Sequence, residues 1–385
     1  MADAQRGTPS LNPIFPITLI VLLNHISMGG SRILVSLFAL KLGATPLEIG
    51  VLVSLYSAIP LVLAVYSGRL ADRLGFLTPM VIGSVILVVA MIVPFAWPAM
   101  PALYLSAALA GAGFVFFNNS VQALVGAISQ VESRAFNFST LAMGYSISSL
   151  VGPPFVGYSI EYFGHPKTYL WLAFIVIASI GAILWQLRVI RGTRVEAAGD
   201  GKRSAVDLLK DRRLFRMFLA SGVCVTGWDL FTFYMPIYGK SVHLADSTIG
   251  NIIGAFGAAT FVVRLVIPRL SRRFGEHGLL AGALLVGASA FLAFPFFSNV
   301  WVLATLAFVM GLGLGCGQPL TMLLTYSYSP AGRAGEANGL RQMANNVTHI
   351  FVPVFFGALG SVFGMVPAFW TNAVFLAGGA WLSRR

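Results

Sequence analysis

The sequence predicts an all-α integral membrane protein: twelve transmembrane helices in two similar six-helix halves. Three observations carry this: a composition too apolar for a water-facing surface, twelve apolar spans, and a repeat at a constant offset. Of the 385 residues 57% are hydrophobic and only 10% charged, against roughly 25% charged in soluble domains. A soluble shell needs more polar residues than this chain owns. The 30 Phe exclude disorder. The two cysteines, Cys224 and Cys316, each lie in an apolar run and read as packing residues, not redox partners. A helix crossing a bilayer takes ~20 apolar residues, so twelve take about 240 and leave roughly 145 for ends and loops. No separate soluble domain fits.

The first six spans run 13–40, 46–67, 78–98, 101–127, 136–162 and 168–188. The second six run 214–238, 248–267, 278–297, 300–326, 338–362 and 366–383. Gly, Pro or charge breaks each from the next. Pro13 and Pro16 open the first, and Pro46, Pro101 and Pro166 sit near later starts, where a missing N–H costs little. The first span carries Asn24, His25 and Arg32 and is too long for a cleaved signal. The one long polar stretch, Arg191 to Arg213, divides the chain. The expected organisation is an N-terminal six-helix bundle at 1–189, a cytoplasmic linker at 190–211 and a C-terminal six-helix bundle at 212–385. Within the linker, Ser204 to Lys210 reads equally as a solvated stretch or as a short interfacial helix, with Ser204 as cap and Asp207 at the capping-box position.

Basic residues give the orientation. Nineteen of the 25 Lys and Arg fall on one side, including nine between Arg188 and Arg216; only Lys41, Lys167 and Lys240 fall on the other. Both termini and the linker are therefore expected in the cytoplasm. The net charge of +12 reads as topology and contact with anionic lipid on that side, not as a nucleic-acid surface.

Shifting the chain by 200 residues superimposes its features. Gly50 falls on Gly250, Arg69–Gly75 on Arg269–Gly275, Gly111 and Gly113 on Gly311 and Gly313. Pro153 and Gly157 fall on Pro353 and Gly357, Gly164 on Gly364, and Arg134 matches Arg333 after a one-residue slip. Repeats of parallel topology form a transporter architecture with the binding site at their interface.

Gly68-Arg-Leu-Ala-Asp72-Arg73-Leu-Gly75, between spans 2 and 3, resembles the signature loop of the major facilitator superfamily. Gly152-Pro153-Pro154-Phe-Val-Gly157 in span 5 is similar to the Gly-Pro motif of that family's antiporters. The resemblance covers essentially the whole chain. It implies the major facilitator fold and a monomeric secondary transporter of a bacterial-type inner membrane, with a small-molecule substrate, no cofactor and no metal. It also implies a cytoplasmic gate in which Asp72 meets the N-terminus of span 11 near Gly335 to Asn338. Arg73, Arg134 and Arg333 would complete that charge network. Two positions depart from the pattern. The second loop copy carries Ser271-Arg272 for Ala71-Asp72, and Ala107 stands where drug antiporters have an arginine.

An ionised side chain at membrane depth costs ~2.5–3.5 kcal/mol and is kept only for a cavity or a partner. Asp229 is the sole acid placed deep in a span, as a proton carrier or an ion-pair member. Arg32, on the other half at nearly the same level under the repeat, reads as a site for a substrate anion or as the partner of Asp229. Asn24 and His25 lie about two turns deeper, and His25 titrates near neutrality when wet. Asn118, Asn119, Gln122 and Gln318 flank the glycine faces of spans 4 and 10. Arg341, Asn345 and His349 share one face of span 11, toward the cavity or span 2. Tyr145, Trp228, Tyr234 and Tyr238 are expected as an aromatic wall or as ordinary interface aromatics. Gly311 to Gly317 follows no strand and reads as helix packing, not a nucleotide loop. Arg264 is expected as an interhelical anchor.

These residues point to alternating access with protons as the coupling ion; one charge moving through 100 mV supplies ~2.3 kcal/mol. The Gly-Pro segment directs the reading toward export, and with Ala107 in span 4 the coupling falls to Asp229 or His25. Proton-coupled import of a small organic anion is the alternative, on the positive sites of Arg32, Arg341 and His25. An enzyme is not expected, since His25 and His349 stand isolated and no HExxH or paired-Asp motif occurs. No filter repeat or single-sign ring points to a channel.

Overall fold

The computed structural model describes residues 13–130, 133–186, 205–330 and 333–384. The side chains of 65, 68, 69, 71, 72, 134, 135, 205, 206, 334 and 335 lie outside that description. Twelve α-helices occur among the described residues. The first half holds α1 (Ile14–Lys41), α2 (Pro46–Leu74), α3 (Leu77–Ala96), α4 (Met100–Ile128), α5 (Arg134–Phe163) and α6 (His165–Trp185). The second holds α7 (Arg212–Ser241), α8 (Asp246–Phe274), α9 (Glu276–Ala293), α10 (Val300–Tyr328), α11 (Ala334–Phe363) and α12 (Met365–Ser383).

Eleven of these are long and apolar enough to cross a membrane. The exception, α5, has the length, but Ser146, Ser148, Ser149, Asn137 and Thr140 lower its apolarity. It tolerates them because it packs against α1 within its half and α8 of the other, so much of it meets protein instead of lipid. In the linker, Ala205–Lys210 forms a short 3₁₀ turn leading to α7, which Asp211 caps by accepting from the Arg213 and Leu214 N–H groups. Ser204, the expected cap of that turn, lies outside the described residues.

The repeat is physical. Within the halves α3 packs on α4, α2 on α4, α3 on α6 and α1 on α6, and likewise α9 on α10, α8 on α10, α9 on α12 and α7 on α12. Glycines set these approaches. Gly113 abuts the Gly83 carbonyl and Gly313 the Ala283 carbonyl; Gly111 abuts Tyr56 and Gly311 abuts Phe256. A side chain there would overlap backbone. The run Gly311 to Gly317 is thus helix packing, with Gly317 against Cys224, and both cysteines are buried and unbonded. The turns repeat too. Gly75 and Gly275, and Gly164 and Gly364, take positive φ. Gly43 (φ 85°) is matched by His243 (φ 60°), the sole non-glycine residue with positive φ among those described. The fold requires a left-handed residue there, and only the first copy supplies glycine.

The halves meet along two crossed seams, α2 against α11 and α5 against α8. Gly50 abuts the Pro353 carbonyl and Gly250 the Pro153 carbonyl, while Gly357 meets Pro46 and Gly157 meets Asp246. Leu47 N donates to Ser361 Oγ (3.1 Å) and Asn251 Nδ2 to Tyr158 OH (3.0 Å). All these contacts lie at the starts of α2 and α8 and the ends of α5 and α11, the arginine-poor end. That end is sealed.

Candidate functional site

Above the seal, between the halves, sits a cavity of about 180 Å³. One wall is the α1 face carrying His25, Gly29 and Arg32, spaced i, i+4 and i+7 so that all three project together. Ser148, Ser149 and Pro153 of α5 continue it. The opposite wall brings Trp228, Thr232 and Phe233 of α7 with Ile253 and Phe256 of α8. Trp228 stands edge-on to Phe256, ring centroids 4.8 Å apart. His25 packs on Tyr145 (4.5 Å) and Phe114 (5.2 Å), and Tyr145 OH donates to Asn118 Oδ1 at 2.8 Å. Arg32 lies over the Tyr56 ring, 5.7 Å from its centroid, and Tyr56 OH donates to Ser31 Oγ. Among the described residues no carboxylate lines this cavity or pairs with Arg32.

Asp229 is 2% exposed and its partner is His349 of α11: Oδ2 and Nδ1 are 2.5 Å apart. Its other oxygen, Oδ1, is buried without a hydrogen-bond partner among the described residues. The structure therefore corrects two expectations. Asp229 pairs within its own half and not with Arg32, and His349 is not isolated. Helix geometry explains it: Asp229 is one residue past Trp228, so when Trp228 faces the cavity the carboxylate turns about 100° toward α11.

Several other expected site residues serve packing. Asn24 is buried behind α1 and donates from Nδ2 to Ser179 Oγ (2.5 Å) and Ser84 Oγ (3.4 Å), tying α1 to α6 and α3. Asn119 donates to Ser67 Oγ across α4 and α2. Tyr234 is fully buried and donates to the Phe356 carbonyl at 2.6 Å, so it is no cavity wall. Tyr238 donates to the Phe297 carbonyl. Arg341 and Asn345 face α7, not the cavity or α2. Ser221 Oγ donates to Asn345 Oδ1 (2.8 Å) and accepts from Arg341 Nη1 (3.2 Å), while Arg341 Nε and Nη2 grip Asn338 Oδ1. That buried network locks α7 to α11. Gln122 and Gln318 are exposed and outside the cavity lining. Arg264 donates from Nη1 to Ser146 Oγ at 2.6 Å, an anchor between the halves.

At the arginine-rich end, Arg333 binds Asp207 of the 3₁₀ turn through two hydrogen bonds (2.7 and 2.9 Å) and Glu336 through two more (2.9 and 2.6 Å). The bonded guanidinium holds the Asp207 carboxyl below its usual range, and both carboxylates raise the Arg333 pKa. Arg73 is exposed, and Gly75 ends α2 at φ 77°. The side chains of Gly68, Asp72 and Arg134 lie outside the described residues, as does the expected Asp72 contact near Gly335. Of the Gly152-Pro153-Gly157 segment, Gly152 lies near Ile26 of α1 within its own half, while the Pro153 carbonyl meets Gly250 and Gly157 meets Asp246 across the seam.

Gly29, Thr232, Phe256 and Ser149 were not singled out from sequence. Gly29 carried a signal, four residues from His25 and three from Arg32 on one helical face; the others look like ordinary span residues.

A mainly apolar cavity with Arg32 and His25 on one wall, at the seam of two repeated helical bundles, is the architecture of a membrane transporter. The family model of the Major Facilitator Superfamily matches residues 17–281 and 217–385, and this chain belongs to that family. It is 23% identical over 349 residues to the quinolone resistance protein NorA of Staphylococcus aureus (strain COL), covering 88% of this chain and 87% of that one. It is 24% identical over 349 residues to the multidrug resistance protein MdtG of Dickeya zeae (strain Ech586), covering 87% and 84%. Among solved structures, a mutant of the peptide transporter POT in complex with sulfate shares the fold at TM-score 0.80 and 15% identity, covering 98% of this chain and 95% of that one. A mutant of the nucleoside transporter NupG does so at TM-score 0.79 and 13% identity, covering 97% and 99%.

Proposed function

We propose that this chain is a proton-coupled exporter of a small organic molecule, with its arginine-rich end and both termini in the cytoplasm of a bacterial-type inner membrane. In that orientation the seal faces outward, and the structure is an inward-facing state that loads from the cytoplasm. The single observation that carries the reading is the buried Asp229–His349 pair beside the inter-half cavity. The carboxylate has one oxygen on the imidazole and one without a partner among the described residues, the imidazole is 22% exposed, and this pair is the proposed proton carrier. Rocking of the halves would expose the pair to opposite sides in turn. The resistance functions named for NorA and MdtG support export, as does the Gly-Pro seam.

The test uses proteoliposomes and a panel of small aromatic compounds. Inverted vesicles with an acid lumen are expected to accumulate the active compound, with matching proton efflux. Asp229→Asn should abolish pH-driven accumulation yet retain exchange between preloaded compound and the same compound outside. Equal loss of exchange and accumulation overturns the coupling role. Accumulation in right-side-out vesicles driven by outside acid reverses the direction.

A further inference from the structure

We propose that the transported molecule is an organic anion of about one aromatic ring, a small aryl carboxylate, with its carboxylate on Arg32 and its ring against the corner that Trp228 and Phe256 form. The proposal rests on the transporter reading and adds the substrate's chemistry. Its first support is charge. Arg32 carries its guanidinium within a helix long and apolar enough to cross a membrane, where such a group is retained only for a partner. Among the described residues no carboxylate provides that partner, and Asp229 is turned into His349. The Tyr56 ring offers a face, which orients the guanidinium but does not neutralise it. A guanidinium so placed presents free N–H donors in the fork that matches a carboxylate.

The second support is shape. Gly29 lies between His25 and Arg32 on the cavity face, and nothing occupies the space in front of its Cα within 4 Å. The missing side chain leaves a slot beside Arg32. Across the slot, Trp228 and Phe256 stand at 74° to one another, an apolar corner for the edge and face of one ring. Thr232, on the cavity side of α7, spends its hydroxyl proton on the Trp228 carbonyl, so Arg32 is the donor left for the anion. The volume of about 180 Å³ lies below the ~300–1,000 Å³ of sites for drug-sized ligands, so one ring fits this state better than a polycyclic compound. A cation is disfavoured by the same walls, since Arg32 repels it and no acid receives it.

Binding of benzoate, benzamide and benzylamine to the full-length protein in nanodiscs, read by Trp fluorescence and thermal shift, tests this. Benzoate is expected to bind and stabilise; benzamide and benzylamine are expected to bind at least about tenfold more weakly. Arg32→Gln should weaken benzoate by about 30-fold or more, while Arg32→Lys restores part of the affinity and both variants melt no lower than the wild type without ligand. Benzylamine binding as well as benzoate, no binding of any aryl carboxylate, or benzoate affinity unchanged in Arg32→Gln each overturns the assignment. Exchange assays separate it from the transporter reading. Charge-dependent binding without translocation leaves the substrate class standing and removes the transport reading. Exchange of a neutral or cationic compound that survives Arg32→Gln does the reverse.

Discussion

Asp229 and His349 illustrate how a buried charge is kept only by its partner. Removing one member leaves an uncompensated group in a dry interior, which typically costs about 3–5 kcal/mol, whereas losing both together costs far less. His349→Ala should therefore lower the melting temperature in detergent more than the double variant Asp229→Leu/His349→Met. A double variant as unstable as His349→Ala would contradict a coupled pair. His243 offers the opposite experiment. It occupies a left-handed turn that its repeat partner fills with Gly43, and such a conformation costs a residue with a Cβ roughly 1–2 kcal/mol. His243→Gly gains that back less the added freedom of the unfolded chain, so a stabilisation of about 0.5–1 kcal/mol is expected by thermal melt. An unchanged or lowered melt shows that the His243 side chain does something the turn alone does not require.

At the scale of helices, the seam residues carry the alternation. Gly50 and Gly250 let α2 and α8 touch carbonyls of α11 and α5. Gly250→Leu puts a side chain where the Pro153 carbonyl lies and should wedge the arginine-poor end open. The readout is thiol labelling of Ser36→Cys in a background lacking Cys224 and Cys316. Labelling by an impermeant reagent from the sealed side should rise several-fold, with transport falling in parallel; labelling at the wild-type level would mean the seal is held elsewhere. Gly222, by contrast, faces the Thr348 side chain within one half, so Gly222→Ala serves as a control expected to leave labelling unchanged.

At the scale of the molecule, the linker is pinned to the second half by Asp207 and Arg333. Asp207 has its pKa lowered in the folded state, so its contribution is present above the ordinary aspartate value of about 3.9 and is lost as pH falls through the lower folded value. Arg333 stays charged throughout. Between pH 5 and 8 the contact is therefore constant, and transport by Asp207→Asn should follow the wild-type pH profile in that range. A shifted profile would move part of the pH response to the linker. The duplication and its helices were legible because glycine is strongly favoured where backbones touch or φ turns positive, and most such positions carry it in both copies, the His243 turn being an exception. The wall carrying Arg32 and His25 was legible in part, since such polar residues are costly in a span wherever they point. The Asp229–His349 pair was not: the residues are 120 positions apart on different helices, and no periodicity links them. Tyr234, Asn24 and Arg341 were misplaced for a related reason. A polar tip on a span satisfies its hydrogen bond equally well in a cavity or against a neighbouring helix, and only the rotation of the helix decides.

The crossed seams have a consequence for assembly. Because α2 meets the counterpart of α5, and α8 meets α5 itself, the surface joining the halves is isologous, the pattern found where two identical subunits associate about a dyad. The two seams differ in detail, Leu47 with Ser361 in one and Asn251 with Tyr158 in the other, so each face is fitted to the opposite half. The covalent tether raises the local concentration of one half for the other.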